Sequence, residues 1–546
     1  MARVTRHFVT VGDRRVHYRR AGAGPAVILL HASPRSSTEL SATQDVFARH
    51  FTTIALDTPG FGLSDPLPLE QPETGDYADA LAATLDALGI AEAAVYGRHT
   101  GASIALEFAV RHPARCRFLF TNGLPIYSAA QREDRLTRYL SPIVPGFAGD
   151  HLIWMWFRFR DQHVFWPWHE QSLAHRAQAE LPDLATQHRG VMELLEAGDA
   201  YRVGYATAFR YDSLAALAQL RVPACLGNRP SDSLFRTVPL YPTGAPVRIF
   251  PAGLQEAAEA ELAVLRDAGD WAAPPPPPAA LPPADRTRLR FIDDILVRSA
   301  GEDRPGVPLL LLHRVPGSSR LHDALVWALG VTRPVFALDL PGQGESAPRE
   351  GDTVAQWAAA VEEVLDGLGL PCVHVVAQNG GAAVAVELAL RAPARIASLV
   401  LDAPIVLPEA TREAFAARWL EELGSTTPCR EGAHLLRAWH MLRDLELWWP
   451  WYARDPAAAR TTPPRIAPER LNDELREAMK QPEGFARGWE AVLRYPLAQR
   501  LAMLRQPCVL MAAADDPFAS LLPEAIAARP GAVRHEGAML DLLARL

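Results

Sequence analysis

The chain has 546 residues, of which 49% are hydrophobic and 22% charged, with a formal net charge of -8. That much apolar material fills two full cores, and a net acidic chain without a dense Lys/Arg tract argues against nucleic acid or a membrane as its main partner. Its five cysteines, Cys116, Cys225, Cys372, Cys429 and Cys508, contain no Cys-x-x-Cys pair, which argues against disulfides and against a zinc or other metal site and suits a reducing, cytoplasmic setting.

Met1 to Tyr18 holds Arg3, Arg6, Arg14 and Arg15 but no apolar stretch of signal-peptide length, and no run approaches the roughly eighteen apolar residues that span a bilayer. The apolar run Ala26 to Leu30 reads as a strand ending in His31-Ala32-Ser33-Pro34-Arg35-Ser36-Ser37. A second, Thr52 to Leu56, ends in Asp57-Thr58-Pro59-Gly60-Phe61-Gly62-Leu63-Ser64-Asp65, a tight Gly-rich turn in which Asp57 has a structural part. An amphipathic helix follows over Tyr77 to Leu88. The strand Ala93 to Tyr96 then meets Gly97-Arg98-His99-Thr100-Gly101, and Ala102 to Val110 continues as a helix.

Strand, sharp turn and helix in that order form an elbow. Its central residue is pushed toward positive φ, which Asn, Asp and His tolerate better than most side chains. The flanking glycines let the helix N-terminus approach the strand, so that the Thr100 amide points at any negative charge developing there. Arg117 to Thr121 is a further strand. After Pro125 the pattern turns helical and aromatic for nearly a hundred residues, with Trp154, Trp156, Trp166 and Trp168, before the strand-like Ala224 to Gly227 and then Asp232.

Pro274 to Pro278 and Pro282-Pro283 cannot be helix or sheet interior; segment 271–285 reads as a polyproline spacer between domains at 1–270 and 286–546. Beyond it the chain repeats itself. His313 to Ser319 mirrors His31 to Ser37 and Asp339 to Ser346 mirrors Asp57 to Ser64, both 282 positions on. His151, Trp156, Arg160, Asp161, Trp166, Pro167 and Trp168 recur as His434, Trp439, Arg443, Asp444, Trp449, Pro450 and Trp451, 283 positions on. A near-constant offset means duplication. The second elbow is Ala377-Gln378-Asn379-Gly380-Gly381, with strands expected at Leu309 to Leu312, Val335 to Leu338, Val373 to Val376 and Ser398 to Leu401, and a helix over Val354 to Leu368. This alternation predicts the α/β class, a mostly parallel sheet with helices on both faces in each half.

The segments at His31, Asp57 and the elbow, in that order, resemble an α/β-hydrolase, nearest to the haloalkane dehalogenase and epoxide hydrolase branch with its His-Gly-x-Pro-x-Ser-Ser and Asp-x-x-Gly-x-Gly-x-Ser-Asp motifs. The resemblance implies tandem hydrolase domains, with the aromatic stretches as helical caps at about 128–215 and 407–500. It implies a nucleophile at the elbow, where this chain has His99 and Asn379, and an acid at Asp232 and Asp516, although Asp515 competes for the second place. It also implies a catalytic His after the last strand. None occurs in Phe250 to Leu254; His535 and Met539 lie near the corresponding strand, with His535 expected inside it. His31 is implied to tie down its loop, and Ser33 with Thr100 to hold an oxyanion, with Gly380 the second-copy counterpart of Thr100. Thr100 stands where the branch has a halide-holding Trp.

His99 is read as general base or nucleophile, because an imidazole accepts a proton near neutral pH without a cofactor, with Asp232 expected to take its Nδ1 proton. The bland alternative is a relic position whose backbone tolerates His. The function that follows is cofactor-independent acid/base chemistry, hydrolysis, elimination or isomerisation, on a small apolar molecule; the alternative is an inactive ligand-binding or scaffolding protein. Asp402 is expected to be structural, the cap tryptophans to be architecture, and Arg160-Asp161 and Arg443-Asp444 to be ion pairs.

Overall fold

The computed structural model describes residues 2–177, 180–279, 281–282 and 286–535. The chain separates into two compact units, Met1–Val144 with Trp154–Ala284, and Pro145–Ile153 with Asp285–Leu546. Pro145–Ile153, which falls within 1–270, thus groups with the second unit.

The first unit is built on eight strands, β1 (Thr5–Val11), β2 (Arg14–Ala21), β3 (Ala26–Leu30), β4 (Thr52–Leu56), β5 (Ala93–Arg98), β6 (Cys116–Asn122), β7 (Ala224–Asn228) and β8 (Val247–Ile249). They lie in the order β1-β2-β4-β3-β5-β6-β7-β8, with β1 and β2 antiparallel and the strands from β4 onward parallel. The second unit holds β9 (Arg288–Ile292), β10 (Ile295–Ala300), β11 (Leu309–Leu312), β12 (Val335–Leu338), β13 (Val373–Gln378), β14 (Ile396–Asp402), β15 (Cys508–Met511) and β16 (Val533–Arg534), in the same relative order.

The parallel strands are continuous apolar runs because helices cover both faces of the sheet. Alternation along β3 shows the division. Ile28 and Leu30 pack with Leu81, Leu85 and Phe108 from the helices Thr74–Ala87 and Thr100–Arg111. Val27 and Leu29 pack with Phe47, Leu262 and Leu265 on the opposite face.

The opening hairpins β1-β2 and β9-β10 escape an apolar-run reading because arginines interrupt them. Antiparallel pairing with one wet face permits that alternation. The β9-β10 turn is Asp293-Asp294, with φ of 44° and 65°, the two positive values of a type I′ hairpin.

Between β6 and β7 the chain forms helices that include Leu184–Ala197 and Tyr201–Arg210; between β14 and β15 it forms Arg412–Leu423, Ala433–Leu445, Pro468–Met479 and Pro482–Arg494. Arg160 meets Asp161 at 2.8 Å and Arg443 meets Asp444 at 3.0 Å. The cap tryptophans pack on one another and on tyrosines, Trp166 against Tyr139 and Trp419 against Trp489.

The proline run lies along the first unit. Trp271 Nε1 donates to Ala26 O at 2.6 Å, and Arg20 Nη1 donates to Pro275 O at 2.6 Å. Proline has no N–H to give, so its carbonyls do the binding. Ala280 and 283–285 lie outside the described residues. No helix among the described residues is long and apolar enough to cross a membrane.

Candidate active site

His99 stands between β5 and the helix Thr100–Arg111 with φ 48° and ψ -111°. Two close approaches make this turn. A Cβ on Gly101 would lie 2.3 Å from Leu30 O, and one on Gly97 would lie 2.1 Å from Gly101 O, so neither place admits a side chain. The His99 amide donates to Asn122 O at 3.1 Å, and its carbonyl accepts from Ala102 and Ser103 at 2.9 and 3.1 Å. The tip is therefore pinned on both sides.

The imidazole meets Asp232 directly, with Nε2 2.9 Å from each carboxylate oxygen. This corrects the expected Nδ1 contact. From the tip of β5 the outer nitrogen has the reach to the loop after β7, and Nδ1 is left with no hydrogen-bond partner among the described residues. The ring edge passes close to Gly123, where a Cβ would stand 2.8 Å from His99 Cδ2. Asp232 is anchored by its own turn, accepting from the Leu234 amide at 2.8 Å, and its side chain is 1% exposed. Burial pushes its carboxyl upward, but His99, Arg98 and Arg229 together outweigh burial and hold it well below the usual carboxylate range.

A cavity of about 90 Å³ opens at this pair, lined by Ser33, Arg35, Glu39, Arg98, His163 and Trp166 among others. That lining sets charged and polar side chains beside Ala32, Trp166, Ala177 and Tyr205. Arg98 bridges two acids, 3.5 Å from Glu39 and 3.7 Å from Asp232. Glu39 accepts from the Ala32 amide at 2.7 Å; burial raises its carboxyl, and Arg98, Arg35 and that amide more than reverse the rise. Ser33 lines the cavity, while the Thr100 hydroxyl is enclosed without a partner. As the first residue of its helix, Thr100 has one of the amides without an intrahelical acceptor.

His31 is fully engaged in architecture. Its Nδ1–H donates to Ala32 O at 2.8 Å, and its Nε2 accepts from the Thr58 amide at 3.0 Å, tying two loops together. His313 repeats this with Arg314 O at 2.7 Å and the Leu340 amide at 3.0 Å. Ser103, buried inside the helix, has no partner for its hydroxyl.

In the second unit Asn379 has φ 44°, and its side-chain Nδ2 donates to Ala403 O at 3.2 Å and toward the Asp516 carboxylate at 3.3 and 3.4 Å. Asp516 is thus the acid that faces the elbow, whereas Asp515 is 46% exposed and pairs with Arg465. Asp402 accepts from Gln378 at 3.2 Å, and burial together with the neighbouring Asp516 pushes its carboxyl up to about 6. A Cβ on Gly380 would sit 3.1 Å from both Val315 and Val492, so apolar side chains roof this turn. His535 follows the last residue of β16 rather than lying inside it, its amide still donating to Leu510 O of β15 at 3.2 Å; Met539 lies outside the described residues.

Sequence reasoning missed Glu39, Arg98, Arg35 and His163. Only Arg98 left a signal, as a charged residue closing an apolar strand.

Burial also sets an acid limit. It pushes His313 and His322 down to about 4, and burial with Arg35 and Arg98 does the same to His163. The unfolded chain therefore binds more protons between pH 6.5 and 4, so this stability is complete above pH 6.5 and is lost as pH falls to about 4. Each of the two fully buried rings contributes about 2 to 3 kcal/mol. Melting temperature should decline steadily across that window; a flat profile from pH 7 to pH 4.5 would contradict it.

A family profile described as the alpha/beta hydrolase fold matches residues 25–183 and 307–524, more than half of the chain. The chain belongs to the α/β-hydrolase fold family. Among relatives of this α/β-hydrolase-fold protein, the dihydrolipoyllysine-residue acetyltransferase component of the acetoin cleaving system of Cupriavidus necator is 34% identical over 125 residues, 23% of this chain and 33% of that protein. The 2-(acetamidomethylene)succinate hydrolase of Mesorhizobium japonicum is 29% identical over 138 residues, 24% of this chain and 48% of that one. The chain spans about a third of the length of the first of these curated relatives and about half that of the second. Among solved structures, epoxide hydrolase A from Mycobacterium thermoresistibile is similar at 18% identity and a TM-score of 0.40, covering 49% of this α/β-hydrolase-fold chain and 98% of that one.

Proposed function

We infer that the first unit is a hydrolase-like enzyme working by general-base chemistry at His99, and the direct contact between His99 Nε2 and Asp232 carries this reading. With Nε2–H donating to a buried carboxylate, Nδ1 is the basic nitrogen. It takes a proton from water or from an activated carbon of a bound small molecule, and Asp232 stabilises the imidazolium that forms. The Ser33 and Thr100 amides meet the developing oxyanion. Hydrolysis, elimination and isomerisation all suit this set, and none requires a cofactor.

Neither elbow supplies the Asp that attacks in the resembled branch, or the Ser or Cys of others. The second copy, with Asn379 in place of a base, has a supporting role within a tandem of hydrolase domains at 1–270 and 286–546 joined by 271–285. Turnover on a panel of esters and small ketones is the test, with the parent and His99→Ala compared across pH. The parent rate should vary with pH, and the variant should keep only a pH-independent remnant. Equal rates in both proteins would remove the proposal.

A further inference from the structure

The wall of the cavity that His99 and Asp232 do not occupy carries two guanidiniums beside Glu39. Arg35 and Arg98 both line it, together with His163 and the hydroxyls of Ser33, Ser231 and Ser233. Arg35 is held through Nε by Glu193, a carboxylate that also accepts from Thr38 and, at 2.6 Å, from Ser36. The two terminal nitrogens of Arg35 have no hydrogen-bond partner among the described residues. Arg98 approaches Glu39 and Asp232 only at ion-pair distances of 3.5 and 3.7 Å, and its Nε is enclosed without a partner. His163 Nε2 is enclosed without a partner as well.

Acids share this wall: Glu39 and Asp232 face Arg98, and Glu193 holds Arg35. Burial disfavours both guanidinium charges, and these acids more than offset it. What the acids leave over is geometric: N–H groups of Arg35 and Arg98 on one cavity wall that meet no acceptor at hydrogen-bond distance among the described residues, a donor set that fits a planar carboxylate.

We propose that this wall binds the carboxylate of a small organic acid across Arg98 and Arg35, which makes the substrate of the His99 site a small carboxylic acid with its reacting atom turned toward Nδ1. The chemistry rests on the general-base reading above; the binding does not. A monoanion is specified because Glu39 already faces the same guanidinium and would repel a second negative charge. Size follows from the cavity of about 90 Å³, which admits a few heavy atoms.

The test is calorimetric titration of the full chain at constant ionic strength with acetate, propionate and pyruvate, and with acetamide and propionamide. The acids should bind and the amides should not. Arg98→Met should weaken acid binding by about tenfold to a hundredfold, as expected for a lost hydrogen bond to a charged group. Arg35→Met should weaken it too, and it serves if Arg98→Met melts early. His99→Gln should keep acid binding while losing turnover, so failure of the base chemistry and failure of the acid site give different results. Amides binding as well as acids, or the two arginine variants binding like the parent, would overturn the proposal.

Discussion

Replacing Asp232 by Asn should lower turnover at the His99 site by about 10² to 10⁴, the range that acid/base contributions span. The carboxylate is the acceptor that keeps a proton on Nε2 and leaves Nδ1 free to act. An Asn side chain in the same place can turn its NH₂ toward the ring. Nε2 then becomes the acceptor, the proton moves to Nδ1, and the base is gone although the shape is kept. The loss should appear in kcat at saturating substrate, with an unchanged circular dichroism spectrum. A folded Asp232→Asn protein with parental kcat would mean that Asp232 has no part in the chemistry.

The largest stability effect should come from Asp57→Ala. This carboxylate is 2% exposed and accepts from the Ser37 amide at 2.7 Å, the Leu63 amide at 2.9 Å and His17 Nδ1 at 2.8 Å. Burial raises its carboxyl, and the His17 contact with the neighbouring donors brings it below the usual range. Removing it takes one charged acceptor from a buried imidazole and two amides, which costs about 3 to 5 kcal/mol. For a unit of this size that is a fall of about 10 °C in melting temperature. Asp339 accepts from the Ser319 and Glu345 amides at 2.7 and 2.8 Å but shows no histidine contact, and burial leaves its carboxyl raised. Asp339→Ala should therefore destabilise less than Asp57→Ala, and the reverse order would contradict this account.

The elements that could be read from residues alone were those whose cause is local. A positive-φ position between two crowded glycines announces itself at His99, and one followed by Gly380 and Gly381 does so at Asn379. Paired motifs at a fixed spacing announce the second sheet. The wall opposite His99 has no such local cause. Glu39 sits in a short 3-10 turn, where its sequence reads like any surface acid, and Arg35 is held by a cap residue, Glu193, 158 positions away. The nitrogen by which His99 meets Asp232 depends on the distance from the tip of one strand to the loop of another, which no pattern encodes. The hairpins β1-β2 and β9-β10 were hidden by arginines, half-buried in β1, β2 and β9 and buried against Asp323 at Arg298 in β10.

In the first unit, Phe250 follows β8 and packs at a tilt against Phe120, 5.5 Å between ring centres, inside the core. On the general-base reading of His99, the loop beyond Phe250 has no proton to deliver. Its tie to the site is through the backbone, Ser231 Oγ donating to Ala252 O at 2.8 Å, so exchanging Pro251 to Gly253 for a turn that keeps a carbonyl there should leave reaction rates untouched.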